Sequence, residues 1–328
     1  MLLALYLLAV TTFFSGLATS FILFLVIRAI AGIGQGAYYG PQYALSTEAI
    51  PDSKRTVGNA IINSGMAFGT SGGYLLSSKL VLDNGEHWSK PFFIMAIPTL
   101  ILGILFYTVL KEKVIRPEDE KRAIKEEPKE KVSLKQIFSN RNLVAAFILC
   151  FTSIYANFVI ITWLPQFLIA ERGFEGASVG FIASLVPWAS IPGALIFARL
   201  NDKTGATKKL VYFLVPLATI SVFAIAFVTD RTLLILVLIL YGLTGKLALD
   251  PIVVTFVTKN APAGALGTSL SAYNFIGMSG SILAPYITGF LADSLGSMQV
   301  GFYLSCGLLL IGLAVFALLA RENEKETV

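Results

Sequence analysis

Ten apolar runs constrain this chain more than any other feature: residues 2–18, 20–46, 57–78, 91–110, 143–169, 177–198, 210–228, 232–257, 265–291 and 300–320. A bilayer core about 30 Å thick is crossed by roughly 20 helical residues, so each run is a plausible span, the first being the shortest. A sheet fails on two grounds. The runs are roughly two to three times the usual strand length without period-two alternation, and an open sheet edge cannot be satisfied in lipid. The first run carries no basic leader and leads almost directly into the second, so a span is expected there rather than a signal peptide. The expected fold is an all-α integral membrane bundle of ten transmembrane helices.

Composition closes off other classes. Only 14% of the 328 residues are charged and 55% are hydrophobic, whereas a soluble domain carries about 25% charged residues to cover its surface. The 24 Phe and 28 Gly suit helices that meet one another through small residues and face lipid with large ones. Cys150 and Cys306 fall inside apolar runs and His87 in a short polar loop, so neither a disulfide framework nor a metal or cofactor site is implied. The net charge of +5 does not indicate nucleic acid, because the basic residues cluster between apolar segments.

Those clusters report orientation. With both ends and the long central loop inside, the inner segments hold 19 of the 25 basic residues, which places the C-terminus in the cytoplasm of a multi-pass cell-membrane protein. Residues 111–141 are a highly charged, proline-containing cytoplasmic linker whose last stretch can form a short surface helix. The expected organisation is a four-helix bundle over 1–110, this linker, a six-helix bundle over 142–320, and a cytoplasmic tail over 321–328.

An internal repeat relates the halves. Gly32 and Pro41 in RAIAGIGQGAYYGP answer Gly242 and Pro251 in YGLTGKLALDP, Pro51 answers Pro262, and Gly69 and Gly72 answer Gly277 and Gly280. Recurrence in this order at one separation marks duplicated architecture, as in many carriers. Four runs before the linker and six after it then imply that the first two helices of a six-plus-six plan are absent from this chain.

The arginine–glycine pattern R-x-x-x-G-x-G-x-G is intact as Arg28, Gly32, Gly34 and Gly36. A loop signature is partly present as Asp202, Lys203, Gly205, Lys208 and Lys209, with Ala198 where a leading glycine is expected; a related GFLADSLG follows with Gly289, Asp293 and Gly296. On these residues the chain resembles the major facilitator superfamily over its whole length. With ITWLPQFLIAERGF around Trp163 and Pro165, and YNFIGMSGSILAPYITGFLAD, it looks like the anion:cation symporter branch. The resemblance implies two bundles around a central substrate path, with Met1 at the start of the family's third helix, and transport of sugar acids or other organic anions, often with protons. In that branch a glutamate commonly follows the arginine by seven positions and serves proton coupling. Here Gln35 stands at that place, which can bond a hydroxyl but cannot exchange a proton.

Arg28 lies inside a span, where an unpaired charge is costly, and a guanidinium can grip a carboxylate through two parallel bonds. A structural pairing with a helix end is the plain alternative. Lys246 and Asp250, four apart beside Pro251, can neutralise each other as a static pair, or open when an anion takes the lysine and leaves Asp250 to carry a cation. Tyr38, Tyr39, Tyr155, Asn157, Trp163, Gln166, Tyr273 and Asn274 are candidate cavity liners, although Trp163 can equally anchor at the interface. Gly32, Gly34, Gly36, Gly69, Gly72, Gly205, Gly277 and Gly280 are expected to serve close packing or gating, and Asp202 with Lys203 to hold one state of an inner gate.

The expected activity is alternating-access transport of a small organic anion with a co-transported proton or sodium ion, by a monomer in membrane lipid. Drug efflux is the near rival, weakened because Phe68 and Gly69 stand where a Gly-Pro pair is wanted; a nontransporting membrane interaction protein is the distant one. An enzyme is not expected, since no metal cluster, nucleophile–base set or phosphate loop emerges.

Overall fold

The computed structural model describes residues 2–49, 55–109, 134–262 and 264–321, with side chains described outside 37–49, 55–60 and 63. The linker over 111–133, the tail beyond Arg321, and the side chains of Tyr38, Tyr39 and Pro41, with Pro51, lie outside the described residues. Among the described residues all regular structure is helical. In chain order the helices are α1 Leu2–Gly16, α2 Phe21–Ala49, α3 Arg55–Ser77 with a π-helical continuation Ser78–Asp83, α4 Lys90–Val109, α5 Leu134–Ser139 and α6 Arg141–Arg172. There follow α7 Ala177–Thr204, α8 Thr207–Phe227, α9 Arg231–Thr244, α10 Lys246–Asn260, α11 Leu266–Leu295 and α12 Gln299–Leu319.

Among the described residues seven stretches are long and apolar enough to cross a membrane: α4, α6, α7, α8, α9 and α10 end to end, α11 and α12. Leu2–Gly16 and Phe21–Gly36 are apolar but shorter. At 1.5 Å per residue α1 reaches about 23 Å, less than the bilayer core. The run 57–78 is helical as α3, although its Asn, Ser and Gly residues dilute its apolarity. The run 232–257, expected as one span, is broken at Gly245.

The chain divides into two compact units: Met1–Gly65, Gly72–Pro128 and Glu175–Gly180 form one, and Met66–Ser71, Lys129–Phe174 and Phe181–Val328 the other. In the first, α1 lies against α2 and α4. Gly34 sits where an added Cβ would be 3.3 Å from the Ala4 carbonyl, and Gly103 where it would be 3.3 Å from the Tyr6 ring.

The second unit holds the deeper core. Tyr155, Phe147, Phe167, Phe302, Phe316 and Leu164 are fully buried, and the rings of Phe167 and Phe302 stand 5.0 Å apart. Lipid gives no hydrophobic drive to bring helices together, so their shape fit and their interhelical hydrogen bonds carry the association. Helix α6 starts on Asn140, whose side chain accepts from the N–H groups of Asn142 and Leu143. It ends at Gly173, in the left-handed region at φ 64°, where a residue with a Cβ would be strained.

Both ends of α6 are tied to neighbours. At its start, Asn140 donates to the Asn260 carbonyl at 2.9 Å and Asn142 donates to the Arg321 carbonyl at 3.0 Å, while the Arg321 N–H returns a bond to Asn142 at 2.7 Å. At its end, Glu171 accepts from the Met298 N–H at 2.7 Å, just before α12. These polar clasps join α6, α10 and α12 and had no signal in apolar patterning.

Candidate functional site

An ion pair inside the second unit lies at the break between α9 and α10. Gly245 is extended there (φ −75°, ψ −154°), its N–H returns to the Tyr241 carbonyl at 2.7 Å, and no side chain caps the start of α10. Five residues on, Pro251 lacks an N–H and cannot serve the Leu247 carbonyl, so the opening turn of α10 is short of helical hydrogen bonds at both ends. Glycine before Lys246 and proline after Asp250 therefore put one charged turn at a discontinuity inside an apolar span.

On that turn Lys246 Nζ lies 3.3 Å from Asp250 Oδ2. Tyr273, from α11, donates its hydroxyl to the other oxygen, Asp250 Oδ1, at 3.0 Å. The two charged side chains are 18% and 30% exposed, so the pair is neither dry nor freely solvated, and each member offsets the desolvation of the other. Cys150, on α6, neighbours both Tyr273 and Asp250.

Lys246 also borders a cavity lined by Asn157 of α6, Pro187 and Ser190 of α7, and Tyr241 and Gly242 of α9, with Met66 and Thr70. Its volume, about 20 Å³, has room for about one water. A second cavity of about 10 Å³, reaching Ser153 and Leu309, shares Tyr241 and Lys246 with the first. Asn157 is 4% exposed, and among the described residues its side chain makes no hydrogen bond, so a buried amide faces a space that holds an ammonium. A ligand larger than water requires the lining helices to part.

The other expected site residues are placed as follows. Gln166 and Asn274 are exposed, Asn274 on a different side of α11 from buried Tyr273. Arg28 and Gln35 belong to the first unit and are exposed on α2, and among the described residues Arg28 has no ion-pair partner. Tyr155 is buried in the α6 core. Trp163 donates its indole N–H to the Pro285 carbonyl at 3.2 Å, with Gly289 against its ring. The two stretches WLPQF and APYITGFLAD, 122 residues apart, thus meet through Trp163, which ties helices together.

The glycines divide. An added Cβ at Gly280 would fall 2.8 Å from the Phe151 carbonyl, and one at Gly277 would fall on Cys150 and 2.9 Å from Ile154, so α11 crosses α6 there without spare room. Gly32, Gly36, Gly69 and Gly72 meet nothing within 4 Å. Gly205 has φ +60° and closes the loop between α7 and α8, where the Thr207 hydroxyl donates to the buried Asn201 at 3.0 Å. Asp202 and Lys203 are exposed on the last turn of α7 and form no ion pair among the described residues.

Sequence reasoning passed over Gly193, whose Cβ would strike the Leu243 carbonyl, and Gly245, which makes the break. The G-K-x-x-x-D-P stretch carried a signal for the second, a glycine at a helix start with a proline inside the next turns.

A helical membrane bundle with a charged helix break beside an interior cavity is the architecture of a solute transporter. The chain belongs to the Major Facilitator Superfamily, whose family model matches residues 1–285, and this places it among transporters rather than enzymes. It is 28% identical over 333 residues to the hexuronate transporter of Bacillus subtilis (strain 168), covering 95% of this chain and 75% of that protein. It is 27% identical over 317 residues to the sialic acid transporter NanX of Escherichia coli (strain K12), covering 92% and 74%. The crystal structure of a bacterial homolog of the human lysosomal transporter Spinster shares the fold, with a TM-score of 0.71 at 14% identity over 97% of this chain and 81% of that one.

Proposed function

We propose that this chain carries small organic anions of the sugar-acid class across the cell membrane by alternating access, coupled to a proton or sodium ion. The observation that carries the reading is Lys246: an ammonium in a helix break, facing a cavity that it shares with the buried amide of Asn157. A cation with neutral hydrogen-bonding groups beside it suits a carboxylate joined to hydroxyls. The relatives named for hexuronate and sialic acid, both sugar acids, support the same class.

In this reading Arg28 is a cationic anchor for anions on α2, with Gln35 placed for hydroxyls. Gln166 and Asn274 contact solute only as helices rearrange. Asp202 and Lys203 close an inner gate, and the glycines Gly34, Gly277 and Gly280 set the crossings on which helices slide. The C-terminus lies in the cytoplasm, and the protein acts as a monomer in lipid.

The test is solute counterflow into vesicles containing the purified chain, with labelled glucuronate and gluconate. Accumulation above empty vesicles, reduced by Lys246→Gln, is expected. No counterflow for either acid or for a wider acid panel overturns the reading, and export of apolar cations in its place selects drug efflux.

A further inference from the structure

Asp250 occupies Lys246 much as a substrate carboxylate would. It is the one acidic group on the α9–α10 span's interior turn, it lies 3.3 Å from Nζ, and its second oxygen is already held by Tyr273 at 3.0 Å. We propose that Asp250 is an internal carboxylate that the substrate displaces from Lys246, and that Asp250, once displaced, takes up the coupling proton. This rests on the reading of the chain as an organic-anion carrier and names where its carboxylate and its proton are exchanged.

Charge balance drives the step. In the unloaded site the ammonium and the carboxylate cancel. An arriving carboxylate brings a second negative charge onto a turn that carries one ammonium, and burial of the excess charge is costly. One proton from solvent onto Asp250 restores neutrality, so loading adds one anion and one proton together. Tyr273 keeps the displaced side chain in place, because its hydroxyl can turn from donor to acceptor once the carboxyl bears a proton.

Among the described residues around the pair, the elements packed on α10 bring Cys150 from α6, Tyr241 from α9 and Tyr273 from α11, and α8 brings Val215 and Ala218; thiols and phenols ordinarily lose protons only above about pH 8. The Asn157 amide, 4% exposed and without a side-chain hydrogen bond among the described residues, supplies a further donor for an incoming carboxylate.

The experiment is titration calorimetry of the purified chain with D-glucuronate at pH 7 in phosphate and in Tris, whose ionisation enthalpies differ, so that the difference in heat counts protons. The wild-type chain should take up about one proton per anion bound, the stoichiometry that neutrality requires. Asp250→Asn should bind without proton uptake and about tenfold more tightly, because no internal carboxylate then competes for Lys246. Uptake driven by a pH gradient should be lost in Asp250→Asn.

Lys246→Gln with Asp250→Asn, a neutral pair that leaves no charge stranded in the span, guards against a single variant that fails to fold. It should fold and lose affinity for glucuronate by at least about tenfold. Wild-type proton uptake that survives in Asp250→Asn overturns the proposal while leaving anion transport standing. A wild-type chain that binds neither glucuronate nor gluconate overturns both.

Discussion

The two glycine-rich halves of the internal repeat are close in sequence and opposite in packing. Gly242, Gly277 and Gly280 lie against backbone or short side chains of neighbouring helices; at Gly242 an added Cβ would fall 2.5 Å from the Val186 carbonyl. Their counterparts Gly32, Gly69 and Gly72 face nothing within 4 Å. A recurring motif therefore does not mark a recurring contact. Which glycine is indispensable depends on the neighbour that fills the space beside it.

The largest effect should come from Gly193→Ala, which sits opposite Gly242 in the same crossing. Its Cβ would meet the carbonyl, carbonyl carbon and Cα of Leu243, all backbone, so α7 and α9 must separate beside the Lys246 cavity. Overpacking of this kind costs about 3 kcal/mol. Thermal unfolding in detergent should show a clear fall in midpoint and weaker glucuronate binding with it. An unchanged midpoint would mean that the crossing is looser than the structure has it, and the contrast between the halves would lose its strongest member.

Next is the asparagine clasp, which gives the second unit a closure at the start of α6. Asn142→Ala removes the bond to the Arg321 carbonyl and the one from the Arg321 N–H, together with a bond to the Asn260 side chain. A partly exposed set of this kind should cost about 2 kcal/mol. The check is the same unfolding measurement, with Asn142→Asp as a comparison that keeps the acceptor and loses the donor.

Helical spans were legible in sequence because a chain in lipid must satisfy its backbone within each run. The Lys246–Asp250 pair was legible too, since residues four apart share a helix face. Tyr273 could be marked as a liner, but not as the donor to Asp250, because the bond depends on how α11 packs on α10, and spacing along one helix carries no distance to another. Trp163 fitted an interface anchor equally well until Pro285 was placed beside it. The clasp residues and Glu171 are polar groups at helix ends, which hydropathy treats alike whether they meet water or a neighbour. Gly193 escaped because glycine is common in membrane helices, and only a facing backbone makes one of them essential.

On the open side of the comparison, Gly32→Ala and Gly69→Ala should do little harm. With no atom within 4 Å of the new methyl, the gain in helix propensity, about 1 kcal/mol, should leave the midpoint unchanged or slightly raised. Loss of stability comparable to that of Gly242→Ala would mean that these faces are covered in the working transporter, and the contrast between the halves would then be one of occupancy rather than of design.

The smallest effect belongs to the polar turn of the first unit, outside the spans. Asp83 is held below the ordinary carboxylate range by its bond to Lys79 and the charge of that ammonium, with a lesser contribution from the Ala177 N–H at the start of α7. A carboxylate whose folded value is depressed stabilises the fold above its unfolded value, near 3.8, and that contribution disappears as pH falls through the lower, folded value. Between pH 7 and pH 5 the wild-type chain and Asp83→Asn should therefore differ by a constant, small margin, because the pair is exposed and screened. Below about pH 4 the two unfolding curves should converge. A difference that persists undiminished in acid would assign the role of Asp83 to the shape of the turn at Gly176, where an added Cβ would approach its Oδ1 to 2.8 Å, and not to its charge.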